Sequence, residues 1–145
     1  MSKVSIYLNF PGNTEEAFNH YKKVFQTEFL APIARMKDAP RPPGAPELSE
    51  KEANSVLNVA LPILGGTVIM ATDMLESLGH KRVIGNNVTI NLEPDTREET
   101  ERLFAGLSEG GSEISPLMDM FWGAYWGVCL DRFGIRWMFN CMQKK

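Results

Sequence analysis

An α+β fold made of two copies of a strand-helix-strand-strand-strand unit is predicted by three features of this 145-residue chain. Ile6, Leu8 and Phe10 alternate with polar or flexible neighbours and lead to Asn13, with Glu16 three residues further on. Val88, Ile90 and Leu92 lead at the same intervals to Asp95 and then Glu98. Each reads as a strand of period two entering a helix whose Asn or Asp N-cap pairs with a Glu at the third helical position. The third feature is length: Asn13 to Gly66 spans 53 positions and Asp95 to Gly134 spans 39, and the difference of 14 is the length of the proline-rich stretch 37–50. The first copy therefore reads as the second plus one insertion. Duplicated units that pack side by side usually leave a ligand site between the copies.

The elements follow in order. After the first strand, a helix from Thr14 to about Phe25 carries Phe18, Tyr21 and Phe25 on one face and Glu15, Asn19, Lys22 and Lys23 on the other. Residues 27–36 are expected to be a second strand. In the insertion, Pro40, Pro42, Pro43 and Pro46 surround Gly44, which excludes a helix or a central strand and predicts a loop or flap. Residues 55–61 and 67–71 flank Gly65 and Gly66 as a hairpin would. In the second half, a helix from Thr96 to about Leu107 buries Leu103, Phe104 and Leu107 and ends at Gly110 and Gly111; strands are expected near 113–119, 123–130 and 135–141. The whole, 1–145, reads as a single domain with module one at about 3–74 and module two at about 86–141.

Composition narrows the function. A hydrophobic content of 43% and a charged content of 23% are those of a soluble globule, and a formal charge of −3 argues against a nucleic-acid surface, which needs a basic field. No apolar run approaches the roughly 18 to 20 residues of a membrane span, and no basic, apolar leader opens the chain, so a cytoplasmic protein is expected. Cys129 and Cys141 are too few and too far apart for a metal knuckle or a disulfide framework and read as free buried thiols.

These residues resemble the vicinal oxygen chelate superfamily, which includes glyoxalases, extradiol dioxygenases and bleomycin-resistance proteins, and more closely its PhnB-like branch. The resemblance spans essentially the whole chain. It is carried by Gly12-Asn13 with Glu16-Ala17-Phe18 and Tyr21, then Met70-Ala71-Thr72-Asp73, Phe121-Trp122-Gly123, and Asp131-Arg132-Phe133-Gly134 with Trp137. It implies two tandem βαβββ modules forming a cup-shaped mixed sheet with helices outside, and a homodimer.

The resemblance also implies where a metal would be held in the metal-using members: at the start of each unit's first strand and on its last strand. A divalent ion there requires His nitrogens or carboxylate oxygens. Seven residues back from Asn13 and Asp95 lie Ile6 and Val88, and four on from Gly66 and Gly134 lie Met70 and Met138. All four are apolar, and a slip of one residue supplies no His and carboxylate set. No metal and no cofactor is expected. His20 reads as a helix-packing or surface residue. His80, in Gly79-His80-Lys81-Arg82, reads as part of a solvated loop, with contact to an anionic ligand as the alternative.

Met70, Met74, Met118, Met120 and Met138, with Phe121, Trp122, Tyr125, Trp126 and Trp137, fall on segments that such a fold places around the cup. Thioethers adapt their shape and flat rings stack on flat ligands, so Met70, Phe121, Trp122, Trp126 and Met138 are the candidate residues for an apolar or aromatic small molecule. Core packing or a dimer interface is the alternative for each. Gly123 and Gly127 interrupt Phe121–Trp126 and allow backbone or ligand to come close. Asp73, at a strand end by the expected cleft mouth, and Asp119, between Met118 and Met120, are the candidate general bases, with capping or a turn as their alternative. Asp131 reads as the turn residue closing Arg132-Phe133. No nucleophile elbow, phosphate loop or dinucleotide fingerprint is present, and the methyltransferase label often attached to the branch finds no support.

The sequence thus predicts a metal-free, homodimeric protein that binds or sequesters a small molecule. The alternatives are a lyase, isomerase or dioxygenase-type enzyme with a displaced metal site or a carboxylate base, and a protein-interaction module whose aromatic patch is an interface.

Overall fold

The computed structural model of the chain describes residues 1–143. The chain divides into two compact units, Met1–Arg82 and Val83–Lys145. The first contains β1 (Ile6–Phe10), α1 (Thr14–Phe25), β2 (Ala34–Arg35), α2 (Glu50–Asn54), β3 (Val56–Pro62) and β4 (Val68–Asp73). The second contains β5 (Ile90–Leu92), α3 (Arg97–Ser108), β6 (Ser112–Asp119), β7 (Ala124–Leu130) and β8 (Arg136–Met142). Each unit has one four-stranded sheet, and the strand orders β1-β4-β3-β2 and β5-β8-β7-β6 are the same. In both, the first strand runs parallel to the fourth and the remaining pairs are antiparallel. The mixed α+β architecture with a duplicated strand order is therefore observed.

The register of the repeat differs from the sequence reading. Ile6 pairs with Ile69, and its counterpart opposite Trp137 is Ile90, not Val88. Val88 is 74% exposed and precedes the strand. The slip is of two residues, and side chains alternate faces with period two, so the apolar pattern is unchanged by it.

The helices bury the faces their periodicity indicates. On α1, Ala17, Phe18, Tyr21, Val24 and Phe25 are buried, and Phe18 meets Phe10 and Tyr21 edge to face at 6.2 and 5.6 Å between ring centroids. On α3, Leu103 and Leu107 are buried while Phe104, half-buried, meets Phe139 of β8 at 5.2 Å. The Trp137, Phe139 and Cys141 face of β8 is thus the face covered by α3, and the alternate residues Arg136, Met138 and Asn140 lie on the other.

Both helix N-termini differ from expectation. Asn13 makes no side-chain cap and its Oδ1 is buried without a partner among the described residues. The Thr14 N–H donates instead to Asp73 Oδ1 at 3.0 Å, from the end of β4. In α3 the cap is Thr96 rather than Asp95, its hydroxyl accepting the Glu99 N–H at 3.1 Å. The second expected strand shrinks to Ala34–Arg35. Residues 27–33 run along β3 through isolated bonds, the Thr27 hydroxyl to the Pro62 carbonyl at 2.7 Å and the Leu30 N–H to the Ala60 carbonyl at 3.0 Å. The proline-rich stretch is irregular as expected, but its end starts the short helix α2, where Ser49 and Glu52 cap each other reciprocally at 3.1 Å.

Asp131 fulfils its turn role. Its Oδ1 accepts the Phe133 and Ile135 N–H groups, each at 2.9 Å, and its Oδ2 accepts the indole N–H of Trp137 at 2.8 Å. Cys129 and Cys141 are free and buried. Among the described residues no helix is long and apolar enough to cross a membrane.

Gly127 is fixed by its neighbour strand. A Cβ there would stand 2.9 Å from the Ser115 carbonyl oxygen and 3.2 Å from the Leu117 nitrogen. Gly127→Ala is expected to cost about 1–3 kcal/mol through forced separation of β6 and β7, measured by urea unfolding.

Candidate functional site

The rings singled out from sequence converge within the second unit. The turn from β6 to β7 is closed by Met120 and Ala124, the Met120 N–H donating to the Ala124 carbonyl at 2.8 Å, and Gly123 provides the positive φ of 93° that this turn needs. It presents Phe121, 96% exposed, and Trp122, 45% exposed. Phe121 stands edge-on to Trp122 with centroids 5.0 Å apart, and Trp122 stands edge-on to Trp126 of β7 at 6.2 Å. Met138 shares the sheet face of Trp126, because Val128, two residues along β7, pairs with Met138. Met118 of β6 lies directly across from Trp126. Met70 is half-buried on β4 of the first unit, flanked by Tyr7 and Ala60. Trp137, grouped with these residues in the sequence reading, is fully buried on the helix-covered face and belongs to the core.

Gly123 and Gly127 have separate explanations. One forms the turn and the other lets the β6 backbone approach, so backbone is what comes close at Gly127.

Asp119 is exposed and held by Arg97, whose Nη1 lies 2.6 Å from its Oδ1. The Arg97 guanidinium also covers the Tyr125 ring at 3.8 Å, and the Tyr125 hydroxyl donates to Glu101 at 3.0 Å. The Asp119 bond holds Arg97 above its usual pKa, and desolvation, with the Glu101 bond second, raises Tyr125. This is a stacked surface cluster in which the carboxylate serves the guanidinium. Burial, reinforced by the charge of Asp131, pushes the Cys129 thiol up to about 12. It stays protonated at neutral pH and is a poor nucleophile.

The metal-ligating positions of the fold do not fit an ion. With the observed register they are Ile6, Ile90, Met70 and Met138, which carry neither His nitrogen nor carboxylate oxygen. Among the described residues no group of three or more His, Cys, Asp or Glu is placed to hold a metal.

The first unit contains a cleft of about 790 Å³ that is lined by none of the ligand candidates. Its walls come from four segments: the β1–α1 turn, α2 with the start of β3, the end of β4, and the loop 80–82. Asp73, buried at 6% exposure, forms part of the wall and holds the segments together. Its Oδ1 accepts the Thr14 N–H at 3.0 Å and its Oδ2 the Val56 N–H at 2.8 Å, while the Phe10 carbonyl accepts the Met74 N–H at 2.7 Å. Both oxygens of the first candidate base are thus taken as acceptors for α1 and β3. Arg35 ties two of the lining residues together, donating to Glu15 Oε1 at 2.9 Å, to Glu15 Oε2 at 3.0 Å and to the Asn54 carbonyl at 2.9 Å. The Arg35 hydrogen bonds hold the Glu15 carboxyl below its ordinary value of 4.5. Glu52 is lowered chiefly by the Ser77 hydroxyl and then by Ser49. The Leu75 N–H donates to His80 Nδ1 at 3.2 Å, so the neutral ring carries its proton on Nε2.

With this geometry the comparisons with known proteins agree. The sequence profile of a family described as 3-demethylubiquinone-9 3-methyltransferase matches residues 2–139.

The chain belongs to this family.

It is a PhnB-like member of the vicinal oxygen chelate superfamily, sharing the fold of glyoxalase, bleomycin-resistance and dioxygenase domains. The Escherichia coli protein YjdN is 25% identical over 148 residues, covering 98% of this chain and 97% of its own. The crystal structure of a Pseudomonas aeruginosa protein is 32% identical, with a TM-score of 0.82 over 99% of this chain and 100% of that one. A PhnB protein from Bacillus cereus, 23% identical over 97% of this chain and 99% of its own, has the same fold at a TM-score of 0.74. Neither four-stranded mixed sheet of this family member is the open, doubly wound parallel sheet whose switch point holds a dinucleotide cofactor.

Two expectations follow for this PhnB-like chain. Asp73→Ala leaves two buried N–H groups without acceptors and is expected to cost about 2–4 kcal/mol in urea unfolding, with Asp73→Asn costing less. Because the folded pKa of Glu15 is depressed, its contribution is present above the ordinary glutamate range and is lost as pH falls through the lowered folded value. With the Glu15 side chain 46% exposed, the pair is worth at most about 1 kcal/mol. The stability difference between wild type and Glu15→Gln is therefore expected at neutral pH and absent in strong acid, as read by unfolding across a pH series.

Proposed function

We propose that this PhnB-like protein binds or sequesters a small apolar or aromatic molecule without a metal held by His and carboxylate ligands, and that it acts as a homodimer in the cytoplasm. The observation that carries the reading is the ring array Phe121–Trp122–Trp126, left at the surface of the second unit with Met138 on the same face as Trp126. Keeping a ring such as Phe121 out of the core forgoes about 1.5–3 kcal/mol of burial. A flat ligand seated against the array recovers that burial and adds edge-to-face contacts of about 0.5–1.5 kcal/mol. Met70 is proposed as a further ligand contact. The four apolar residues at the superfamily's ligating positions support the same reading. No observation favours Asp73 or Asp119 as a base, since one carries two backbone donors and the other is held by Arg97.

Protein purified without chelator is expected to contain no stoichiometric divalent ion by elemental analysis. A panel of substituted benzenes and naphthalenes is expected to quench tryptophan fluorescence saturably, with binding weakened about tenfold in Trp126→Ala and retained in Trp126→Phe. Stoichiometric metal, or quenching that is linear and indifferent to Trp126, overturns the proposal.

A further inference from the structure

The first-unit cleft is built from the opposite chemistry to the ring array. Its carboxylates are largely engaged: Glu15 by Arg35, Asp73 by two backbone N–H groups, and Glu52 by Ser49 and Ser77. Of its three lining cations, Arg82 is engaged and two are open. Lys51 and Lys81 line the cleft and make no hydrogen bond or ion pair among the described residues. The third free donor is the Nε2–H of His80, whose tautomer is set by the Leu75 N–H on the other ring nitrogen. Glu76 is the one lining carboxylate with no partner among the described residues, and its charge disfavours an anion in the cleft. A cleft whose acceptors are satisfied and whose donors are open selects a ligand that brings acceptors and negative charge. The apolar lining from Pro11, Met74 and Leu75 provides a surface for a nonpolar body behind that charge.

We propose that this cleft binds a small organic anion, a compact carboxylate or phosphoryl group on an apolar body, with Lys51, Lys81 and His80 Nε2–H meeting the charged end. The cleft shares no lining residue with the ring array, and the proposal stands or falls independently of the function proposed above.

The test titrates full-length protein with benzoate, phenyl phosphate and the neutral benzyl alcohol while following the imidazole nitrogen resonances of His80. It is run in wild type and in the Trp126→Ala background, which removes binding at the rings from the readout. Benzoate or phenyl phosphate is expected to shift the His80 signals saturably at millimolar concentration, and whichever binds identifies the preferred anion. The double change Lys51→Met and Lys81→Met is expected to weaken that binding about tenfold, and Glu76→Gln to tighten it. Rising ionic strength is expected to weaken it in wild type. Both lysines are exposed, so the variants are expected to fold, and thermal unfolding checks this. The proposal is overturned if neither anion shifts His80 saturably, if benzyl alcohol shifts it equally, or if the lysine substitutions leave the affinity unchanged.

Discussion

The first unit depends on one carboxylate. Asp73 ends β4, and from there it receives the first free N–H of α1 and the first N–H of β3. A helix start normally meets its own donors through the residue just before it. Asn13 stands in that position with a backbone conformation outside the extended region, φ −117° and ψ 27°, and its side chain contributes nothing. The donor is therefore met from 59 residues away. Because the three segments converge on one buried group, the geometry of the cleft wall follows from it. A buried carboxylate without its donors, or donors without it, costs about 1–3 kcal/mol for each group left unmet.

The second unit reaches the same strand order with a different polar solution. The hairpin registers place Val68 opposite Pro62 and Arg136 opposite Leu130, so the position of Asp73 on β4 corresponds to Cys141 on β8. A thiol cannot take over two backbone donors of a helix and a strand. It has no need to, because α3 is capped locally by Thr96. The buried aspartate of this unit sits instead at the β7–β8 turn, where Asp131 gathers two N–H groups and the indole of Trp137. Duplication thus preserved the apolar faces and the strand order while the capping of the helix moved between local and distant donors' partners. Backbone donors must be met in either copy, but the residue that meets them is free to change.

This division explains what was legible in the sequence. The faces of α1 and α3 and the strands β3, β4, β7 and β8 are written in local periodicity, and the turn at Asp131 in its own four residues, so both were readable. The capping pairs Asn13 with Glu16 and Asp95 with Glu98 looked correct locally and were wrong, since Asp73 and Thr96 satisfy the helices. The repeat was aligned through those caps: taking Asp95 for Thr96 accounts for one residue of the slip, and the strand-to-cap spacing, seven from Ile6 to Asn13 but six from Ile90 to Thr96, accounts for the other. Residues 27–36 have the composition of a strand, yet only Ala34 and Arg35 pair regularly with β3, with a register shift between them. The short helix α2 was hidden by the prolines before it, although Ser49 and Glu52 spell its capping box. The grouping of Phe121, Trp122 and Trp126 was readable because aromatics and glycines are visible one by one. The cleft was not, because it is made of ordinary polar residues from four segments.

The same consideration decides what a polar residue in such a fold is for. By composition alone, Asp73 is an acid near a cleft and resembles a catalytic base, while Lys51, Lys81 and His80 resemble surface residues. The hydrogen-bond accounting reverses both descriptions. Each oxygen of Asp73 accepts a buried backbone N–H that has no other acceptor among the described residues, so it acts as a structural tie. His80 has one nitrogen fixed by the backbone and the other open, with two unengaged ammonium groups lining the same cleft. A ligand is recognised by groups whose hydrogen bonds are still to be made, whereas a fold is held by groups whose hydrogen bonds are already complete. Residue type alone does not distinguish these two conditions; the partners each residue has acquired on folding do.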